Sequence, residues 1–230
     1  MLPLFTAGFP GLLGLLGLIL VLLVLLVLVR VWIVLRTRPN LRHGPGKGKV
    51  SVLVVAGSGG HTTEILRLLG SMSTVYSPRT YIIADTDRMS EEKICSFEKQ
   101  RRTGTDPAET DPQFSVHRIP RSREVHQSWF SSVLSTLNAF WFCVPLVFKI
   151  KPDMVLCNGP GTCVPPVVTA LLLGVLGVQK VLIVYVESLC RVQTLSLTGR
   201  ILYPLAHVFL VQWAGLRDKY PGSVFVGRVV

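Results

Sequence analysis

Residues 49–70 read KVSVLVVAGSGGHTTEILRLLG. Lys49 to Val55 is a nearly unbroken β-branched run, the pattern of a parallel strand covered on both faces. A glycine turn follows. Residues 62–72, TTEILRLLGSM, then place Ile65, Leu66, Leu68 and Leu69 on an apolar stripe, with Glu64 and Arg67 polar, as an amphipathic helix does. A buried strand, a glycine turn and a helix make the opening unit of a parallel α/β sheet.

The same alternation continues downstream. Strands are predicted over RTYIIAD (79–85), FSVHRIP (114–120), PDMVLCNG (152–159), KVLIVYVES (180–188), HVFLVQW (207–213) and, closing the chain, SVFVGRVV (223–230). Helices are predicted over 86–100, with Asp87 or Ser90 as caps, over 123–149, 167–178 and 194–206, and a short one over 214–221. Residues 99–113 are polar and proline-bearing and read as a loop. The apolar segment 167–178 is a core helix, because roughly 12 residues do not cross a bilayer. The aromatic-rich stretch 123–149 is too apolar for a free surface helix: it packs in the core or touches a bilayer. Residues 49–230 therefore form one Rossmann-like parallel-sheet domain, with no internal repeat.

Ahead of that domain lies GFPGLLGLLGLILVLLVLLVLV, residues 8–29, without a charge. This matches the roughly 20 residues that a helix needs to span a bilayer. No cation precedes the run, it exceeds the roughly 7–15 residues of a signal-peptide core, and no A-x-A site follows it. It reads as an uncleaved anchor, with Trp32 suited to the interface. Residues 1–36 are the anchor and its basic flank, and 37–48 a linker rich in Gly, Pro and cations. Arg30, Arg36, Arg38, Arg42, Lys47 and Lys49 all follow the span, so the positive-inside rule places the domain in the cytosol. The same cations suit anionic head groups.

The 230 residues carry 24 Lys and Arg against 13 Asp and Glu, a net charge of +11, yet no nucleic-acid-binding motif accompanies it. A membrane surface or a phosphorylated ligand accounts for the charge, and nucleic acid is not expected as a partner. Cys95, Cys143, Cys157, Cys163 and Cys190 form no CxxC pair, and no His/Cys cluster has zinc-ligand spacing. No metal site and no cofactor are expected. GPGKGK in the linker lacks phosphate-loop spacing and follows no strand.

The glycine turn sits where open parallel sheets bind ligands, at the carboxyl end of a strand. Gly57, Gly59 and Gly60 permit close backbone approach, the amides at the helix start are unpaired, and the helix dipole favours an anion there. With Ser58, and with Thr62 or Thr63 assisting, this is a phosphate or diphosphate site. A dinucleotide fingerprint would need glycine at position 62, which is Thr62. His61, a bulky imidazole after two glycines at the mouth of the sheet, is poorly explained by packing.

AGSGGHTTE (56–64) resembles the glycine loop GGTGGH of the glycosyltransferases that add N-acetylglucosamine to lipid diphosphates in bacterial wall synthesis. It departs from that loop at Ala56 and Ser58. RIPRSREV (118–125), LCNGPGTCVP (156–165) and IVYVES (183–188) follow in family order. Together with the anchor they resemble the membrane-anchor subunit family of the eukaryotic UDP-N-acetylglucosamine transferase of dolichol-linked oligosaccharide assembly. The likeness runs from Val50 to Val230.

That resemblance implies the acceptor half of a split GT-B fold, inactive alone, with a soluble donor-binding subunit supplying the other half at the cytosolic face of the endoplasmic reticulum. It implies transfer of N-acetylglucosamine from UDP-N-acetylglucosamine, bound through the partner, to dolichyl-diphosphate-N-acetylglucosamine, forming a β-1,4 link with inversion. His61 and Glu187 are then the two candidates for the general base, and His61 has the alternative role of orienting the loop or binding the diphosphate. Gly57, Ser58, Gly59 and Gly60 would hold the acceptor diphosphate, with Thr62 and Thr63. Asn158, Gly159, Pro160, Gly161 and Thr162 would form a second ligand loop, with Ser188, Arg118 and Arg121 as further contacts. Val226, Arg228, Val229 and Val230, on an apolar tail, would meet the partner. Two rival classes are a pure membrane scaffold for that partner and a membrane-attached nucleotide-cofactor enzyme.

Overall fold

The computed structural model describes residues 8–39, 48–102, 114–124 and 127–228. Most of the linker, most of the 99–113 loop, and Val229 and Val230 lie outside them. A long helix, α1 (Gly8–Arg36), precedes an alternating domain. In chain order this runs β1 (Val52–Val55), α2 (Gly60–Gly70), β2 (Arg79–Ala84), α3 (Arg88–Arg102), β3 (Phe114–Ile119), α4 (Trp129–Ile150) and β4 (Met154–Asn158). A 3-10 turn (Gly161–Cys163) leads into α5 (Val164–Val175), then β5 (Leu182–Val186), α6 (Leu197–Leu202), β6 (Val208–Val211), α7 (Ala214–Lys219) and β7 (Val224–Phe225).

All strand pairs are parallel, in the order β3-β2-β1-β4-β5-β6-β7. The β-branched run of β1 explains its central place. Val52 and Val54 enter one core with Ile65, Leu69 and Ile94, while Leu53 and Val55 enter the other with Val147, Val167 and Leu173. Because chain order reverses between β1 and β4, the loops leaving these two strands diverge and open a crevice at their carboxyl ends.

Several expected boundaries shift for local reasons. The helix predicted from 123 begins at Trp129, where the Ser128 side chain accepts from the Ser131 N–H at 3.2 Å. The strand expected over 223–230 is confined to Val224–Phe225. After Val226 donates to the Val211 carbonyl, Gly227 takes a φ of 73° and turns the chain off the sheet.

Helix α4 packs on α5 through small and medium side chains, with Ser132, Ala139, Cys143 and Val147 buried. Its opposite face carries Phe130, Leu134, Leu137 and Trp141, a stripe at helical spacing, with Phe130 78% and Trp141 77% exposed. Large apolar groups point outward and small ones inward, the reverse of a soluble surface helix. Helix α1 shows its apolar side chains all round from Leu12 to Val29, with a mean hydropathy of 3.5. Among the described residues, only its foot touches the domain. The Arg30 Nε donates to the Val175 carbonyl at 3.3 Å, and the Val34 carbonyl accepts from His207 at 2.9 Å.

Candidate functional site

The crevice between the β1 and β4 loops is a cavity of about 770 Å³. Ser58, Gly60 and His61 enter it from the β1–α2 loop, Gly159 to Thr162 from the β4 loop, and Ser188 from the end of β5. Arg121 and Arg123 stand at its rim, with the Arg123 guanidinium 4.8 Å from the centre of the Trp129 ring.

Two close approaches explain the glycines. A Cβ on Gly57 would overlap the Pro160 ring, so the two loops abut only because position 57 lacks a side chain. A Cβ on Gly159 would overlap the imidazole of His61, and Gly159 has a φ of 92°. Helix α2 starts at Gly60 after Gly59, which offers no capping side chain. Its first-turn amides are therefore left toward the crevice, where a diphosphate oxygen would satisfy them.

His61 and Glu64 lie one turn apart on α2. The His61 Nδ1 is 2.9 Å from the Asn158 Oδ1, and the Asn158 Nδ2 donates to Glu64 at 2.9 Å. Glu64 also accepts from the Ser188 hydroxyl at 3.1 Å, the Leu189 N–H at 3.3 Å and the Gln212 amide at 3.4 Å. An isolated amphipathic α2 would carry Glu64 on its polar side. In the folded domain Glu64 is instead buried at the strand ends. The sequence signal that finds it is its place one turn after His61, on the same helix face.

Glu187 ends β5 with no exposed surface. An unpaired buried carboxylate would be costly. Glu187 is buried, but it is not unpaired. It accepts from the Ser188 N–H at 3.1 Å, and from the Ser196 N–H at 3.0 Å and hydroxyl at 3.1 Å. Burial pushes its pKa above the ordinary glutamate value, and these donors and Arg191 pull it back.

Three expected ligand contacts point elsewhere. Thr62 is buried, and its hydroxyl bonds the Gly57 carbonyl and the Ser90 hydroxyl, so it shapes the loop from behind. Thr63 lines a separate hollow between α2 and α3, where Lys93 reaches it at 3.5 Å. Arg118 is not in the crevice: it pairs with Glu91 of α3. Just past the edge strand, Val226 is exposed, and the Arg228 guanidinium lies 4.6 Å from the centre of the Trp213 ring at the start of α7.

A family described as "Oligosaccharide biosynthesis protein Alg14 like" matches residues 52–229. The UDP-N-acetylglucosamine transferase subunit ALG14 of Homo sapiens is 58% identical over 202 residues, covering 88% of this chain and 91% of that protein. The protein of the same name from Yarrowia lipolytica is 40% identical over 187 residues, covering 81% of this chain and 84% of its own. Among solved structures, Acinetobacter baumannii MurG superimposes with a TM-score of 0.52 at 16% identity. That match takes in 72% of this chain and only 42% of the longer MurG chain, and it bears on the fold alone. With nearly the whole domain matched, and relatives this similar over most of their length, the chain belongs to the Alg14-like family of oligosaccharide biosynthesis proteins.

Proposed function

We propose that this chain is the membrane-anchored, acceptor-binding subunit of a UDP-N-acetylglucosamine transferase that extends dolichyl-diphosphate-N-acetylglucosamine by a β-1,4-linked N-acetylglucosamine. The single observation that carries this reading is the convergence of a glycine loop, a helix N-terminus, an imidazole and two arginines on one crevice at the switch point of the sheet. A soluble donor-binding subunit brings UDP-N-acetylglucosamine to the open side of that crevice. The exposed apolar edge at Val224, Phe225 and Val226 is its docking surface. The chain sits in the endoplasmic reticulum membrane with its domain in the cytosol, the orientation that the cations after the span favour.

In this reading the amides of Ser58, Gly59 and Gly60 hold the acceptor diphosphate, and Arg121 and Arg123 neutralise it. The outward stripe of α4 begins beside that rim and covers the polyprenyl chain or meets the bilayer. The acceptor 4-hydroxyl attacks the anomeric carbon of the donor sugar as the bond to UDP breaks with its electron pair. The hydroxyl proton passes to His61, since imidazole is suited to general-base work near neutral pH.

The test is a transferase assay on membranes carrying this chain, with and without the donor-binding subunit, using labelled UDP-N-acetylglucosamine and a short-chain dolichyl-diphosphate-N-acetylglucosamine. Gly60→Ala is informative because a Cβ there meets nothing within 4 Å in the protein and intrudes only on ligand space. Turnover that needs both chains and falls in Gly60→Ala and His61→Ala, with co-purification intact, is the expected result. Full turnover in both variants would reduce the chain to a scaffold.

A further inference from the structure

Resting on the general-base reading of His61, we infer that Glu64 and Asn158 are positioning residues that set its tautomer. Carboxylate oxygens only accept, so the group that Asn158 turns toward Glu64 must be its NH₂. The Asn158 carbonyl oxygen is thereby turned toward His61, 2.9 Å from Nδ1. A carbonyl oxygen only accepts, so Nδ1 carries the hydrogen. The neutral ring then has its lone pair on Nε2, which has no hydrogen bond among the described residues. The order of donors, imidazole to amide to carboxylate, leaves one arrangement.

The rest of the environment fixes the amide's direction. Glu64 accepts from three further donors, Ser188, Leu189 and Gln212, so a reversed amide would set the Asn158 carbonyl oxygen against a carboxylate oxygen with no hydrogen between them. Gly159 presses against the imidazole face and limits its rotation. Neither Glu64 nor Asn158 touches the reacting atoms in this scheme: each acts through His61, as the orienting acid of a catalytic triad acts through its histidine. The polar chain crosses from α2 to β4 and on to the ends of β5 and β6, so the base is oriented by the sheet itself.

A swap of the relay tests this in the intact two-chain enzyme. Glu64→Gln alone keeps the order, because its amide oxygen accepts from Asn158 while its NH₂ turns to the Ser188 hydroxyl. Asn158→Asp alone sets two carboxylates together. The double variant, Glu64→Gln with Asn158→Asp, restores the order: the amide introduced at position 64 donates to the carboxylate introduced at position 158, and that carboxylate accepts from Nδ1. We expect Asn158→Asp to lose roughly 100-fold in kcat, within the range typical of a general base, with KM for the lipid acceptor little changed, and Glu64→Gln to lose far less. The double variant should recover at least about tenfold over Asn158→Asp, a coupling that independent structural damage does not produce. A double variant no better than Asn158→Asp, or Asn158→Asp with full kcat, would overturn the proposal. A reading that does not depend on variant folding is the nitrogen resonance pattern of His61 in the ¹⁵N-labelled wild-type complex. A protonated Nδ1 and bare Nε2 support the relay, and the opposite pattern refutes it. Absence of turnover in the wild-type pair would instead dispose of the transferase reading beneath it.

Discussion

Glu64 and Glu187 are two carboxylates buried on the same edge of one sheet, and they are built into it differently. The partners of Glu64 come mainly from side chains far along the sequence, at positions 158, 188 and 212, and its chain of bonds ends on an imidazole in the crevice. The partners of Glu187 are its neighbour Ser188 and the turn that starts α6, and from the Ser196 hydroxyl the path runs on through the Tyr185 hydroxyl to the Gly159 carbonyl. Burial alone does not mark a functional acid. Both line the crevice, and what distinguishes them is where the hydrogen-bond path leads: through Asn158 to the imidazole in one case, to the backbone of the β4 loop in the other. We read Glu64 as serving the base and Glu187 as fastening α6 to β5.

Two glycine substitutions attack the two branches separately. Gly159→Ala drives a methyl group into the His61 ring and also places a side chain at positive φ. Its expected effect is the largest, a loss of turnover per folded molecule of about 100-fold or more, measured against the amount of complex in the membrane. Unimpaired kcat would detach His61 from the chemistry. Gly199→Ala drives a methyl group into the Glu187 carboxylate instead. Overpacking of that kind destabilises by about 1–3 kcal/mol. The expected readout is a lower melting temperature of the purified complex, with kcat of the surviving enzyme near wild type. If Gly199→Ala abolished kcat at unchanged stability, the roles of the two carboxylates would be exchanged.

Glu187→Ala probes the same contrast more directly. It leaves the Ser188 and Ser196 amides buried without an acceptor, at about 1–3 kcal/mol for a stranded group. Removing a carboxylate whose pKa is already raised by burial offsets part of this. The net expectation is a destabilisation comparable to that of Gly199→Ala, seen as a lower denaturation midpoint, with a retained requirement for His61.

Much of this architecture was legible in the sequence, for a definable reason. The run from Val52 to Val55, the glycine turn and the α2 stripe are local patterns, and each local choice agrees with a parallel sheet. The crevice followed from them, because strand ends collect on one edge. What was not legible depends on side-chain direction. Thr62, Thr63 and Glu64 are three consecutive polar residues on the first turns of α2. The fold aims the first behind the loop, the second at α3 and the third into the sheet edge. The spacing from His61 singles out Glu64, but the directions of Thr62 and Thr63 are not set until the sheet order is known. The same holds for α4, which its composition leaves between core and bilayer: only packing reveals that it turns Phe130 and Trp141 outward, whereas the length of α5 already marks it as the core helix that it is.

The smallest effect concerns the opposite edge of the sheet, where a third buried ionisable group has a purely structural connection. His207 accepts from the Ile183 N–H through Nδ1 at 3.0 Å and donates through Nε2 to the Val34 carbonyl of the anchor helix. Both nitrogens are used, and one of them as an acceptor, so only the neutral ring serves. Burial pulls its pKa below the ordinary imidazole value of 6.5, with Arg38 adding to the shift and the Val34 carbonyl opposing it. As pH falls through 6.5 the unfolded chain takes up the proton before the folded one does, so stability declines with acidification down to the folded pKa. Glu187 has the opposite sign. Its raised pKa means that the unfolded chain loses its proton first, so its contribution falls as pH rises above the ordinary glutamate range. Melting curves of the detergent-solubilised chain between about pH 7.5 and 5.5, the window around an ordinary imidazole, should show a decline toward acid that is flattened in His207→Gln, whatever its starting stability. A His207→Gln profile that declines toward acid as steeply as the wild type would mean that His207 is not held neutral by the anchor, and that the foot of α1 is fastened to the domain by Arg30 instead.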